Sequence, residues 1–353
     1  MGTPAHAPTE RPLPTDLFLA ASRFSAGGLL AAVPPACRRG VDAAQPLRPD
    51  GDDAVLDFPE WRPRRPAVRL VPALSVLDEH PPGFRFELSA CTSGAWSPWV
   101  GAASVGDVRF APLPASAGAL TSEIDEFVAA VPADAVRLRA RLPAAGAAVL
   151  ARAPWLVALS AWDGTVEASG PRATSAVGLA VPPRSQMDED ATIRMRICSP
   201  TSVAMVLEHY GRRVATAALA AEMLHAGLDR YGVWPAAIRA AGRHGIAGYV
   251  LRFPGWAAAA WCLAEGLPVI ASVRYAAGEL SGAAIAETSG HLLVLTGAAG
   301  DRILVNDPAA PGTAGVPRGY ARDELLRAWL DRGGIGYVLF RPTTSPSARS
   351  PRP

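Results

Sequence analysis

The pattern of hydrophobic and polar residues separates a strand-rich first half of the chain from a mixed second half. Within 84–88 and 136–140, apolar and polar residues alternate with a period of two, which is typical of strands with one buried face. Turn-forming residues such as Pro81-Pro82-Gly83 separate these runs. The spacing therefore predicts an all-β, antiparallel sandwich-like domain over 52–177. Further strands are predicted at 67–71, 108–110 and 155–160.

In the second half, segments with the helical period come first and strand-like runs gather later. This order predicts an α+β domain over 178–342, with helices packed on one side of a mainly antiparallel sheet. The predicted helices lie at 200–210, 215–226, 234–245, 254–266 and 322–331. The predicted strands lie at 246–253, 268–275 and 335–340, with a hairpin over 291–306.

The two ends of the chain show no sustained period. Residues 1–51 are rich in Pro, Ala and Arg, so we predict an irregular or disordered segment there. A disordered tail is predicted at 343–353. The apolar run 17–33 resembles the core of a signal peptide, but Arg23 interrupts it and no cationic region precedes it. The sequence therefore leaves both a secreted or surface location and a cytoplasmic one open.

The most informative segment is the one that carries Cys198 into a predicted helix. Ser199 is a suitable N-cap, Pro200 fits the first helical position, and Gly211 is a suitable stop. A thiol at a helix N-terminus lies near unsatisfied N–H groups and the positive end of the helix dipole. Both favour the thiolate, which is the nucleophilic form of cysteine.

A second informative segment is the predicted hairpin over 291–306. If its turn is centred on Ala299, His291 stands directly opposite Asp307. Directly opposed residues share a face, with Cβ atoms about 5 Å apart. Such a pair supplies the base and the orienting acid that a cysteine nucleophile requires. The pairing of His291 with Asp307 depends on this register, because a slip of one residue would separate the two side chains.

Each of these residues also has a simpler interpretation. A single cysteine is more often buried and structural, and a histidine at the start of a strand usually has only a structural role. Asn306-Asp307-Pro308 is typical of a turn that ends a strand. The three residues together nevertheless make a complete Cys/His/Asp set. The remaining histidines lie in the tail, in a turn or near helix ends: His6, His80, His209, His225 and His244.

These segments resemble the C39-like cysteine peptidase family, whose members are papain-like. The resemblance rests on Ser185-Gln186-Met187, on the block 198–202, on Gly290-His291 and on 306–308. It covers about residues 181–340. More weakly, the first half resembles the β-rich region that often precedes this domain in bacterial members, through 82–88 and 96–99.

The resemblance implies a role for four residues: Cys198 as nucleophile, His291 as general base and later general acid, Asp307 as its orienter and Gln186 as a donor to the oxyanion. A donor fits acyl transfer, which develops negative charge on the carbonyl oxygen. Two departures bear on specificity rather than on chemistry. Ile197 replaces the aromatic residue expected before the cysteine, and the linker over 187–197 is unusually charged.

We therefore expect a cysteine peptidase that hydrolyses peptide bonds of a peptide or protein substrate through a thioester. One alternative is an amidase or transpeptidase that uses the same intermediate. Another is a non-catalytic module that binds a cell-wall polymer or protein and carries a vestigial peptidase domain. Trp96 and Trp99 would support the latter as a ligand-stacking platform, although core or inter-sheet packing is the commoner role of such residues.

Composition narrows the classes of partner. A net charge of +2 and the absence of a basic stripe argue against nucleic acid, and no apolar run is long enough to span a membrane. The cysteines are far apart and form no CxxC pair, so we expect neither a metal site nor a disulfide framework. A single bridge from Cys91 to Cys37 or Cys262 stays open. No cofactor is expected.

Overall fold

The computed structural model describes residues 14–43, 46–167 and 177–343. In the first half, the helices are α1 (Ala26–Ala31) and α2 (Ala144–Arg152). The strands are β1 (Thr15–Ser22), β2 (Arg38–Ala43), β3 (Arg48–Asp50), β4 (Asp53–Asp57), β5 (Ala67–Val76), β6 (Arg85–Thr92), β7 (Ala95–Trp96), β8 (Val100–Gly101), β9 (Ser116–Ala117), β10 (Leu120–Ser122), β11 (Phe127–Ala133), β12 (Ala135–Pro143) and β13 (Trp155–Trp162).

These strands form two sheets packed face to face, as the alternating pattern predicted. One sheet has the order β2-β1-β13-β5-β11-β10-β9, and the other has β3-β4-β12-β6-β7, with β8 beside β6. In the second sheet Leu138 pairs with Leu88, and both side chains are buried in the core between the sheets. The predicted strand at 108–110 is wrong, because these residues form an extended loop with no ladder partner.

The prediction that residues 1–51 are irregular is wrong for most of the described part of that segment. β1 lies inside the first sheet, between β2 and β13. Its apolar run does not alternate because both faces of the strand are covered. Leu17 and Leu19 face the second half of the chain, whereas Phe18 and Ala20 face the sandwich core. Residues 1–13 and 344–353, which include nearly all of the predicted tail, lie outside the described residues.

The second half contains helices α3 (Cys198–His209), α4 (Thr216–Met223), α5 (Trp234–Arg243), α6 (Trp256–Ala264) and α7 (Arg322–Trp329). Its strands are β14 (Val177–Gly178), β15 (Ala247–Arg252), β16 (Val269–Tyr275), β17 (Thr288–Ala299), β18 (Arg302–Asn306), β19 (Pro317–Ala321) and β20 (Ile335–Phe340). They form one antiparallel sheet of order β15-β20-β16-β17-β18-β19, with β14 beside β17. The chain is thus β-rich first and mixed α+β afterwards.

Helices cover both faces of this sheet, which corrects the prediction that they lie on one side. α3, α4 and α5 pack on the face that carries Val250 and Ile270, and α6 and α7 pack on the face that carries Tyr249 and Val269. Both faces are apolar because the central strands are nearly continuous hydrophobic runs. Among the described residues no helix is both long and apolar enough to cross a membrane.

The two tryptophans considered for a ligand platform and the four cysteines can now be placed in the fold. Trp96 and Trp99 are half-buried on the outer surface of the six-stranded sheet. The guanidinium groups of Arg137 and Arg139 lie 3.8 and 4.1 Å from their respective ring centres, so arginine covers one face of each ring. Neither ring therefore lies in the core, and a ligand-stacking role stays a prediction. All four cysteines are free thiols in this structure.

Candidate active site

Cys198 is the first residue of α3. Ile197 stands at the N-cap position and provides no side-chain cap, so the prediction that Ser199 caps the helix is wrong. The helix starts earlier than predicted, and the Ser199 hydroxyl lies instead 3.4 Å from the hydroxyl of Tyr337. Cys198 is partly exposed, whereas Ile197 and Ser199 are fully buried. Cys198 therefore reaches the protein surface although the helix around it is part of the core.

His291 lies in β17 and pairs with Val273 of β16. Only 3% of its surface is exposed. Its ring Nε2 lies 2.8 Å from Oδ1 of Asp307, a side chain that is fully buried. The structure thus brings the predicted base and the predicted orienter into direct contact.

The register that led to this pair was predicted wrongly. We expected His291 directly opposite Asp307, but Ala299 pairs with Arg302, which moves the turn along the chain. A β-bulge after Leu295 shifts the register again, and Asp307 follows the last residue of β18. His291 therefore has no ladder partner on β18.

The contact survives because the net displacement is two positions, and side chains alternate with a period of two. His291 therefore stays on the face of β17 that carries Leu293, and Asp307 stays on the face of β18 that carries Val305. The two residues meet as diagonal rather than directly opposed neighbours, which long side chains still allow.

The carboxylate of Asp307 accepts three hydrogen bonds. Oδ1 faces the His291 ring and also accepts the Ala309 N–H at 3.0 Å, and Oδ2 accepts the Tyr320 hydroxyl at 2.7 Å. Burial alone would raise the pKa of Asp307. The positive charge of His291 and the donated hydrogen bonds outweigh burial and lower that pKa. Asp307 is therefore a buried but ionised group.

The ring of His291 interacts with the Cys198 thiol closely enough to shift the pKa of both groups. Because Nε2 is engaged with Asp307, Nδ1 is the ring nitrogen left for the sulfur. Burial raises the pKa of Cys198, but the His291 contact and the N–H groups of Leu292 and Ser199 lower it overall. Burial likewise lowers the pKa of His291, but Asp307 and Cys198 raise it to about 10. These shifts favour a thiolate–imidazolium pair at neutral pH.

Gln186 is buried in a turn that is joined to the segment after Asp307. Its backbone N–H donates to the Pro308 carbonyl at 2.8 Å, and the neighbouring Ser185 hydroxyl donates to the Ala310 carbonyl at 2.5 Å. Its side-chain Nε2 donates to the Arg194 carbonyl at 2.7 Å. An amide nitrogen has two hydrogens, so one N–H is left for another acceptor.

Sequence reasoning missed Tyr320, which reaches Asp307 from β19. β19 was not predicted because its five residues, Pro317–Ala321, form a short edge strand next to a Pro- and Gly-rich loop.

Other histidines are engaged elsewhere: His209 contacts the Ala180 carbonyl and His244 contacts Glu222. His6 lies outside the described residues. Within the described ranges no cluster of acidic, histidine and cysteine side chains is suited to a metal ion.

The model of the Peptidase_C39 like family matches residues 178–337, the region that contains the Cys198, His291 and Asp307 cluster. This region belongs to the C39-like peptidase family. A search of curated proteins by sequence gave no significant match.

Solved structures that resemble the C39-like region include a double-glycine motif protease from an AMS/PCAT transporter in complex with the leader peptide. It shares 21% identity with this chain over 48% of this chain and 98% of that one, with a TM-score of 0.33. A protein described as a C39-like peptidase from Bacillus anthracis shares 17% identity over 48% and 100%, with a TM-score of 0.37. The peptidase domain of Streptococcus ComA shares 17% over 41% and 92%, with a TM-score of 0.31.

Proposed function

We propose that the protein is a cysteine peptidase in which Cys198 is the nucleophile, His291 the general base and acid, and Asp307 the orienter of His291. The observation that carries the proposal is that His291, held 2.8 Å from Asp307, also interacts with the Cys198 thiol and lowers the pKa of that thiol. All three residues lie inside the region that matches a peptidase family. A partly exposed cysteine next to a buried base is the arrangement that covalent catalysis requires.

In the first half of the reaction, the Cys198 thiolate attacks the carbonyl carbon of a peptide bond, and the carbonyl π electrons move to oxygen. When the tetrahedral intermediate collapses, the carbon–nitrogen bond breaks and the protonated His291 gives its proton to the leaving amine. A thioester to Cys198 is left. Asp307 holds the ring so that Nδ1 faces both the sulfur and the leaving group.

In the second half, neutral His291 takes a proton from water while the water oxygen attacks the thioester carbon. The carbon–sulfur bond then breaks, which releases the carboxylic acid and restores the thiolate–imidazolium pair. The negative oxygen in both steps needs donors. We assign these to the backbone N–H of Cys198 at the start of α3 and to the free side-chain N–H of Gln186.

The proposal is tested by digestion of a synthetic peptide library, with products identified by mass spectrometry. Wild-type protein should cleave a subset of the peptides, and Cys198→Ala should cleave none. Cys91→Ala, which removes a buried thiol of the sandwich, should keep the wild-type activity. Equal cleavage by wild type and Cys198→Ala would contradict the proposal. A product joined to an added amine, without hydrolysis, would instead show acyl transfer.

A further inference from the structure

Tyr320 is held rigidly beside the proposed site. It lies in β19, where it pairs with Ile303 of β18, and only 1% of its surface is exposed. Its ring belongs to the same hydrophobic core as Leu293 and Val305. These residues lie two positions from His291 and Asp307, respectively, along the chain. The position of its hydroxyl is therefore fixed by packing as well as by hydrogen bonding.

The hydroxyl of Tyr320 completes the set of donors around Asp307. Oδ1 of Asp307 is engaged with His291 and with the Ala309 N–H, and Oδ2 with Tyr320. With both oxygens engaged, the carboxylate cannot rotate without losing a bond. Since Asp307 is fully buried, solvent does not replace a missing donor.

We propose that Tyr320 is a positioning residue of the catalytic site, which acts through Asp307 and never touches the substrate. The inference rests on the proposed function, because it assumes that His291 and Cys198 form the working pair. The Tyr320 hydroxyl keeps Asp307 ionised and oriented. Asp307 in turn keeps His291 protonated, and protonated His291 keeps Cys198 in the thiolate form.

No neighbouring hydroxyl in the described part of the chain duplicates this role. Tyr275 is near Asp307, but its hydroxyl donates to the Ile285 carbonyl at 3.2 Å. Loss of the Tyr320 hydroxyl therefore leaves Oδ2 of a buried carboxylate without its donor, which makes the charged form of Asp307 less stable. The effect passes along the contacts and raises the pKa of Cys198.

The test is the rate at which iodoacetamide labels Cys198, measured against pH in Tyr320→Phe. The acidic limb of the profile should move up by about one pH unit, so labelling near pH 6 should be about tenfold slower than in wild type. For a cleaved peptide, kcat should fall while KM stays the same. Tyr249→Phe is the matched control, because Tyr249 is also buried. Its hydroxyl donates to the Ala32 carbonyl at 2.7 Å and has no contact with Asp307.

A double-mutant cycle separates positioning from general structure. In an Asp307→Asn background, Tyr320→Phe should change the labelling rate by less than about twofold, because the charged acceptor is already gone. A profile of Tyr320→Phe equal to that of Tyr249→Phe, or full additivity with Asp307→Asn, would overturn the inference. Both results leave the proposed function intact, which fails only if Cys198→Ala remains active.

Discussion

The environment of each cysteine decides whether its thiol is inert or reactive. Cys37 is buried in the interface between the two halves, and burial raises its pKa to about 12. Burial also raises the pKa of Cys262 far above its ordinary value. Cys198 experiences burial as well, but it has His291 and two N–H groups as partners, and its pKa is lowered. Partners, rather than exposure alone, distinguish the candidate nucleophile.

Gln186 provides a prediction that separates binding of the transition state from activation of the thiol. If its N–H contacts the oxyanion, Gln186→Ala should lower kcat by about 10²–10³-fold. The labelling of Cys198 by iodoacetamide should stay within about twofold of wild type, because that reaction develops no oxyanion. Peptide kinetics and labelling on the same preparation check this. An equal loss in both assays would assign Gln186 to folding of the site instead.

At the scale of elements, the hairpin shows what a hydrophobic pattern can and cannot predict. The existence of β17 and β18 followed from two apolar runs around a Gly-containing turn. The exact turn and the bulge after Leu295 did not, because both depend on backbone conformations that several residue types adopt. The His291–Asp307 contact survives the wrong register only because the net displacement is two positions, which leaves the two side chains on one face.

Other features of the site depend on tertiary contacts that no local pattern encodes. Tyr320 stands alone as an apolar residue in a short edge strand, so its proximity to Asp307 could not be predicted. β1 was missed for a related reason. A strand buried on both faces loses the alternation that identifies strands, and the pairing of β1 with β2 and β13 is visible only in the folded chain.

Gly242 tests how tightly α5 packs on the sandwich. A Cβ at this position would lie 2.5 Å from the Val76 carbonyl oxygen of β5. Gly242→Ala should therefore lower the free energy of unfolding by about 1–3 kcal/mol through overpacking, even though alanine is the better helix former. Gly27→Ala is the control, because Gly27 lies in α1 and a Cβ added there would meet no atom within 4 Å. Urea denaturation should show no loss for this control, and an equal response of both variants would contradict the prediction.

At the scale of the whole molecule, the sheet that contains β1 and β13 joins the two halves. One face forms the sandwich core, and the other packs against the sheet and helices of the C39-like region. Arg252 of β15 forms a buried ion pair with Glu126, and its backbone N–H donates to the Ser160 hydroxyl at 3.0 Å. The division of the chain into two domains at 177/178 stays a prediction.

Asp125 of the sandwich accepts the backbone N–H of Trp234 at 2.9 Å and so caps α5 across the interface. Burial, with the nearby Glu126, raises the pKa of Asp125 to about 7. The folded state therefore holds a proton that the unfolded chain releases near pH 4, so this group makes the protein less stable as pH rises from about 4 to about 7.

We expect Asp125→Asn to remove this dependence, because the amide oxygen still accepts the Trp234 N–H but does not titrate. The free energy of unfolding of Asp125→Asn relative to wild type should increase between about pH 4 and about pH 8. Asp301→Asn, in the exposed turn between β17 and β18, provides the baseline. A relative stability of Asp125→Asn that is independent of pH would show that Asp125 does not titrate in this range.

The proposed mechanism requires that Cys198 is a thiolate activated by His291. The most direct measurement is competitive labelling of the native protein by a limiting amount of iodoacetamide near pH 6, with each cysteine quantified by mass spectrometry. Cys198 should be labelled at least about a hundredfold faster than Cys37, Cys91 or Cys262, and His291→Ala should slow the labelling of Cys198 by at least about tenfold. Labelling of Cys198 no faster than the buried thiols, or unchanged by His291→Ala, would contradict the account.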